Sequence, residues 1–309
     1  MLKRRARVLV GLALGAARKL SSLLHDYQSS EREQKRSRLR VMQTNHVAGR
    51  NVLVTGSTRG IGRALAEAFV LQGANVVVHG RREEEARGVA AALSSRAAGT
   101  QRVIGLGGDL ARPGAGRQLV AHAIEQLGRI DIVINNAAIH PPQRKPSWDT
   151  GSDEFHELLK VNVLAAFDVS AAALANMLSQ GADGRIINIS TGAANIANVS
   201  DSGVAGYGIS KFALEGLSHY IAAESQHVTI ATLRPDTIDT DMLAPLLPLD
   251  RRLRSLPPES VVPAVLHLVQ APRDEVHAKV FEQRELTTML ARETAPPPAR
   301  EAAAVAPNA

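Results

Sequence analysis

The sequence has no cysteine, which excludes disulfides, thiolate-ligated metals and a thiol nucleophile. Aromatic residues make up only 3%. A core must therefore rest on Val, Ile, Leu and Ala, which suits a parallel sheet covered on both faces. No His-x3-His or His-Glu-x2-His pair occurs among the ten histidines, so no metal site is expected. The apolar run at residues 8–17 is about half of the ~20 residues that a membrane-spanning helix needs. No transmembrane span is expected from it.

The formal charge of +6 is unevenly spread. Residues 1–50 hold twelve Lys or Arg against three Asp or Glu, so the rest of the chain is slightly acidic. That distribution argues against a broad phosphate-binding face for nucleic acid. Residues 1–46 read as a basic extension, partly disordered, with Lys3, Arg4, Arg5 and Arg7 ahead of the apolar run. A cytoplasmic protein is expected, with weak peripheral membrane contact through residues 1–24 as the alternative. Residues 286–309 read as a Pro/Ala-rich tail.

Between these ends, apolar residues supply enough material for one large domain, residues 47–285. Short β-branched runs at 51–55, 75–79, 102–106, 130–135, 185–190, 229–233 and 278–281 predict strands. Most are apolar without alternation, as when both faces of a sheet are buried. Helical stretches such as 62–72 and 118–127 separate them. This rhythm predicts an α/β fold: a Rossmann-type doubly wound parallel sheet of about seven strands, with helices on both faces.

The first strand runs into Thr55-Gly56-Ser57-Thr58-Arg59-Gly60-Ile61-Gly62. Glycines between a strand and a helix permit a tight turn and close approach of backbone to a pyrophosphate, which meets amides at the helix start. An acidic residue about 20 positions on would bond the ribose of NAD. Here the second strand ends His79-Gly80-Arg81-Arg82. With Arg59, these arginines form a cradle for a 2′-phosphate, so NADP(H) is the expected cofactor and NAD(H) the alternative.

Four further segments follow in order: Gly108-Asp109-Leu110, Asn135-Asn136-Ala137-Ala138, Tyr207-Gly208-Ile209-Ser210-Lys211, and Pro235 to Met242. With the glycine turn, they resemble the motifs of the short-chain dehydrogenase/reductase family, in its ~250-residue form. The resemblance covers roughly residues 47–281. It implies an NAD(P)-dependent oxidoreductase that moves a hydride between the cofactor and a carbonyl or secondary alcohol. It places Gly56, Ser57, Thr58, Arg59, Gly60, Ile61, Gly62, Arg81, Asp109, Leu110, Asn136, Ala137, Pro235 and Thr240 at the cofactor. It makes Tyr207 the proton donor. Lys211 lowers the tyrosine pKa and bonds the nicotinamide ribose, while Asn162 holds a proton-relaying water.

Carbonyl reduction needs a proton and stabilisation of developing negative charge. Tyr207 and Lys211, four residues apart on a helix, share one face and suit that task. A hydroxyl at the end of the fifth strand would polarise the carbonyl. Thr191 occupies the register of the family's catalytic serine, and Ser190 beside it is the alternative. Two departures stand out. The Thr191–Tyr207 interval is longer than usual, which implies an altered substrate loop at 193–206. Asp236 also replaces a family glycine. These oddities support a second reading, a non-catalytic NADP(H)-binding sensor or scaffold.

The loop at 140–148 and a Leu/Pro-rich lid at 243–256, with Arg251, Arg252 and Arg254, suggest a lipophilic or acyl substrate with an anionic part. The long helices carrying Asn162 and Tyr207 are the expected contact of a homodimer or homotetramer.

Overall fold

The computed structural model describes residues 47–181, 183–198 and 203–294. Seven strands form one sheet in the order β3-β2-β1-β4-β5-β6-β7. They are β1 Asn51–Val54, β2 Asn75–Gly80, β3 Val103–Gly107, β4 Ile132–Asn135, β5 Arg185–Ile189, β6 Thr229–Arg234 and β7 Lys279–Glu282. Every neighbouring pair is parallel. The apolar runs read from the sequence are therefore the strands, and β1, β4 and β5 are buried along their whole length.

Helices cover both faces, as the unalternating strands require. On one face, α1 (Gly60–Leu71) supplies Leu65, Phe69 and Val70, while α2 (Glu83–Ser94) adds Ala90 and Leu93. On the other, α3 (Ala115–Leu127) meets a long helical stretch. This stretch comprises α4 (Ser152–Leu159), a π-helical turn (Lys160–Leu164) and α5 (Ala165–Ser179). The helix α6 (Ala205–Glu224) lies on the same face through Ile221 and Ala222. Each buried Leu, Ile, Val or Phe contributes about 1.5–3 kcal/mol of apolar transfer.

Residues 152–179 are long and apolar enough to cross a membrane by composition alone. Their Ala165, Val169, Ala173 and Met177 instead pack in the core against the sheet. The first face is completed by α7 (Val262–Gln270) and α8 (Gln283–Thr294), which buries Leu286. The packed unit thus runs beyond residue 285, where the tail was expected to start. The basic extension at 1–46 and the Pro/Ala-rich stretch at 295–309 lie outside the described residues.

Strand order reverses between β1 and β4. In an open α/β sheet, the crevice at the carboxyl ends of such a pair is where ligands bind.

Candidate active site

A cleft of about 2130 Å³ opens at those strand ends. Its floor is the turn between β1 and α1. Gly56 has φ +63°, and a Cβ there would come within 2.9 Å of the Ala137 backbone. A Cβ on Gly62 would lie 2.4 Å from the Gly56 carbonyl. Glycine is thus needed for a left-handed turn and for close packing of helix on turn. Asn136 locks the crevice by donating to the carbonyls of Thr55 (2.9 Å) and Gly56 (3.0 Å). Thr55 Oγ1 in return accepts from the amides of Asn136 and Ala137, both at 3.0 Å.

His79 is a part of this floor that sequence reasoning did not single out as functional. Its Nδ1 accepts from the Gly56 amide at 3.1 Å, and its Nε2 lies 3.0 Å from the Gly108 carbonyl. The ring must be neutral, protonated on Nε2, to make both bonds. Burial lowers its pKa and favours that form. Ser57 ties the same region by donating to the Val54 carbonyl at 2.7 Å. Ser57 and Gly62 are buried and hold the turn from behind, whereas Gly56, Thr58, Arg59, Gly60 and Ile61 line the cleft. The remaining residues expected at the cofactor, Arg81, Asp109, Leu110, Asn136, Ala137, Pro235 and Thr240, line it too.

At the end of β2, Gly80 could not be acidic without displacing Thr58, because its Cβ would lie 2.5 Å from Thr58 Cγ2. Arg59, Arg81 and Arg82 line this part of the cleft, and Arg59 and Arg81 are exposed. Glu85 shows what the cluster attracts. Its carboxyl is held below the usual value, first by its bond to Arg82 and also by Arg59 and Arg81. Arg59 additionally lies 3.9 Å from Asp241.

On the opposite wall, Tyr207 and Lys211 stand one turn apart on α6 and both face the cleft. Lys211 is only 2% exposed and donates to the Ile189 carbonyl at 2.8 Å. Burial draws its pKa down to about 8, against the opposing charge of Glu215. The Thr191 side chain neighbours the Tyr207 hydroxyl and acts to lower its pKa. Burial outweighs that influence and pushes the phenol up to about 12. Lys211, expected to lower this pKa, is not among the groups that shift it here, and Tyr207 stands as the neutral phenol, the proton-donating form. The His140 ring packs against Tyr207, with centroids 4.4 Å apart.

The two hydroxyls at the end of β5 part company. Thr191 meets Tyr207, whereas Ser190 donates to Glu215 at 2.6 Å, behind the site. Asn162 is 1% exposed and sits in the π-helical turn, a distortion frequent at functional sites. Its amide bonds the Ile139 amide (2.8 Å), the Ile139 carbonyl (3.0 Å) and Ser210 Oγ (2.9 Å). It thereby fixes the exit of β4 against α6.

Deeper still, Asn135 donates to Ser170 (2.8 Å) and to Asn188 (2.7 Å), and Asn188 donates to Ser218 (2.7 Å). These bonds pin α5 and α6 to the sheet. Asp236 lies beside the cleft, and its amide donates to Gln283 at 3.1 Å. Among the described residues only Ala278 is a non-glycine with positive φ, so Asp236 carries no left-handed strain. Residues 199–202 of the expected altered loop are not among the described residues. No group of three or more His, Asp or Glu placed to hold a metal occurs among the described residues.

A glycine turn at the crevice and a Tyr–Lys pair facing it thus share one cleft. Comparison with known proteins places it further. The family model for short chain dehydrogenases matches residues 50–249. The chain is 34% identical to the short-chain reductase protein NovJ of Streptomyces niveus, covering 78% of this chain and 90% of that one. It is 31% identical to the L-fucose dehydrogenase of Mus musculus, over 78% and 84% of the two chains. Among solved structures, a putative NAD(P) dependent gluconate 5-dehydrogenase from Beutenbergia cavernae with bound NADP matches with TM-score 0.68 and 28% identity, over 77% and 96% of the two chains. A 3-oxoacyl (acyl-carrier-protein) reductase from Agrobacterium tumefaciens C58 with NADP bound matches with TM-score 0.68 and 26% identity, over 78% and 95%. The chain belongs to the short-chain dehydrogenase family, NAD(P)-dependent oxidoreductases that act on CH–OH groups.

Proposed function

We propose that the protein reduces a ketone, or oxidises the matching secondary alcohol, with NADP(H). The observation that carries this reading is the contact of Tyr207 with Thr191, beside Lys211, at the crevice of the glycine turn. The turn, Asp109 and the arginines suit NADP(H): the helix start at the turn offers amides to a pyrophosphate, and Arg59 and Arg81 line the same cleft for a 2′-phosphate. When bound, the nicotinamide supplies or accepts the hydride. Thr191 donates to the carbonyl oxygen, polarising it. Tyr207, held as the phenol, gives its proton to that oxygen as the alkoxide forms. Lys211, cationic below about pH 8, stabilises the phenolate left behind. Asn162 keeps β4 and α6 in register.

The bond of Ser190 to Glu215 supports Thr191 as the carbonyl's donor. Thr191→Ala is expected to lower kcat about 10²–10³-fold, the usual loss for a transition-state donor. Thr191→Ser retains the hydroxyl and should stay within about tenfold of the parent. Ser190→Ala is expected to cost less than Thr191→Ala, because Ser190 is bonded to Glu215. Steady-state reduction assays over a panel of ketones give the order, and the reverse order would reassign the role to Ser190.

The substrate end of the cleft joins Met242, Leu243, Leu247 and Leu256 with Arg144, Arg251 and Arg254. This lining supports a lipophilic or acyl small molecule with an anionic part. On this reading the protein works in the cytoplasm, and contact with anionic membrane surfaces rests on basic residues 1–24.

A homodimer or homotetramer also belongs to this reading. Leu164, Phe167, Ile209 and Phe212 are 40–56% exposed on the long helices, and Tyr220 is 76% exposed. Such apolar side chains facing water on neighbouring helices favour a self-complementary contact. Light scattering is expected to give two or four times the chain mass. An Ile209→Glu/Phe212→Glu variant should run as a monomer. A parent chain that is itself monomeric would end the idea.

A further inference from the structure

Behind the Tyr–Lys pair lies an ionic cluster that the family motifs do not assign. Glu215 follows Lys211 by four residues, so Tyr207, Lys211 and Glu215 occupy successive turns on one face of α6. Glu215 is 4% exposed, and both of its carboxylate oxygens are engaged. Arg234, at the end of β6, grips them with two bonds of 2.8 and 2.7 Å. Ser190 adds a third at 2.6 Å. Arg234 also donates to Glu282 on β7 at 2.9 Å, and Asn195 donates to the same carboxylate at 3.4 Å. The Glu215 carboxylate is thereby fixed in place.

We propose that Glu215 is a positioning residue for the reaction, presenting a fixed negative charge one helical turn beyond Lys211 that keeps the buried ammonium charged and aimed at the cleft. This inference rests on the hydride-transfer reading above. Three observations support it. The lysine's own bond goes to the neutral carbonyl of Ile189, which cannot by itself compensate a buried cation. The cluster balances when Lys211 is charged, two cations (Lys211 and Arg234) facing two anions (Glu215 and Glu282). With neutral Lys211, Arg234 alone would face both carboxylates, leaving the half-buried Glu282 unmatched at the cleft. Ser190 links the parts covalently, since it holds Glu215 while the preceding carbonyl, that of Ile189, holds Lys211.

Other titratable groups face the pair from different elements. His140 packs on the Tyr207 ring from the loop after β4. Asp236, with Arg284 3.7 Å from it, borders the cleft after β6. Neither is bonded to Lys211 or Glu215, whereas burial depresses the lysine's proton affinity and Glu215 is the group opposing it.

The test is the Glu215→Gln variant of the full chain, read over pH in two ways. The first is kcat/KM for carbonyl reduction, and the second is NADPH affinity without substrate, followed by cofactor fluorescence. Loss of the charge should move the basic limb of both profiles to lower pH by about one unit or more. Glu215→Asp, which keeps the charge, should return the limb toward the parent. Glu215→Gln alone orphans Arg234, so Glu215→Gln/Arg234→Gln/Glu282→Gln, which removes the other three charges of the cluster, provides a second variant with no orphaned guanidinium or carboxylate. It should show the same shift. Limbs superimposable on the parent in a folded charge-removed variant would overturn the proposal. A parent chain that turns over no carbonyl would sink the hydride-transfer reading instead, while the NADPH-affinity profile would still decide the role of Glu215.

Discussion

Tyr207→Phe is expected to abolish carbonyl reduction, lowering kcat by about 10³-fold or more, while leaving NADPH affinity within about threefold of the parent. The ring is retained, so the packing of His140 on it survives. Only the phenolic hydroxyl and its interaction with Thr191 are lost. The loss therefore belongs to the proton-transfer step and should appear in kcat rather than KM. In the parent, kcat/KM for reduction should fall above about pH 8. Lys211 is cationic below its depressed pKa of about 8 and loses its stabilising charge above it. Stopped-flow or steady-state NADPH oxidation across pH 6–10 reads both effects. A Tyr207→Phe enzyme that keeps a tenth of its activity would remove Tyr207 from the proton path.

The second large effect is expected at the cofactor's adenosine end. Arg59→Ala and Arg81→Ala should each weaken NADPH about tenfold, and together about a hundredfold, with NADH affinity changed less than about twofold. Both arginines are exposed at the rim, so the loss should shrink as salt is raised. The discrimination has a steric component as well. Thr58 crowds Gly80, which keeps an acidic, ribose-binding side chain out of that position. Equal weakening of NADPH and NADH would show that the arginines do not read a 2′-phosphate.

Much of the fold was legible because its strands are buried on both faces and read as continuous apolar runs. Positions 51–54, 132–135 and 185–189 show this most clearly. The glycine turn and the Tyr–Lys pair were legible because their geometry is local: one turn, and one helical repeat. What was not legible depends on contacts between distant strands. His79 reads as an unremarkable strand residue until parallel pairing brings Gly56 and Gly108 to its two nitrogens. The choice between Ser190 and Thr191 rests on which face of the β5 exit each takes, and this appears only once α6 is packed against it. Asp236 looked like a strained substitution, yet its backbone avoids the left-handed region.

Glu215 was within reach of sequence reasoning, since it extends the Tyr207–Lys211 spacing by one more turn. Its meaning required Arg234, which lies 19 positions on and meets it only once α6 packs against the end of β6. Breaking such a buried pair by removing one partner costs about 3–5 kcal/mol. That explains why the cluster can hold the catalytic wall rigid as well as charged.

The most direct test of the account is hydride transfer itself. The protein would be incubated with NADPH carrying deuterium at nicotinamide C4 and with lipophilic and acidic ketones, and the products analysed by mass spectrometry. The account predicts one deuterium on the carbinol carbon of at least one product with the parent chain, and none with Tyr207→Phe. NADPH bound tightly with no labelled carbinol from any ketone would contradict it and favour a cofactor-binding sensor.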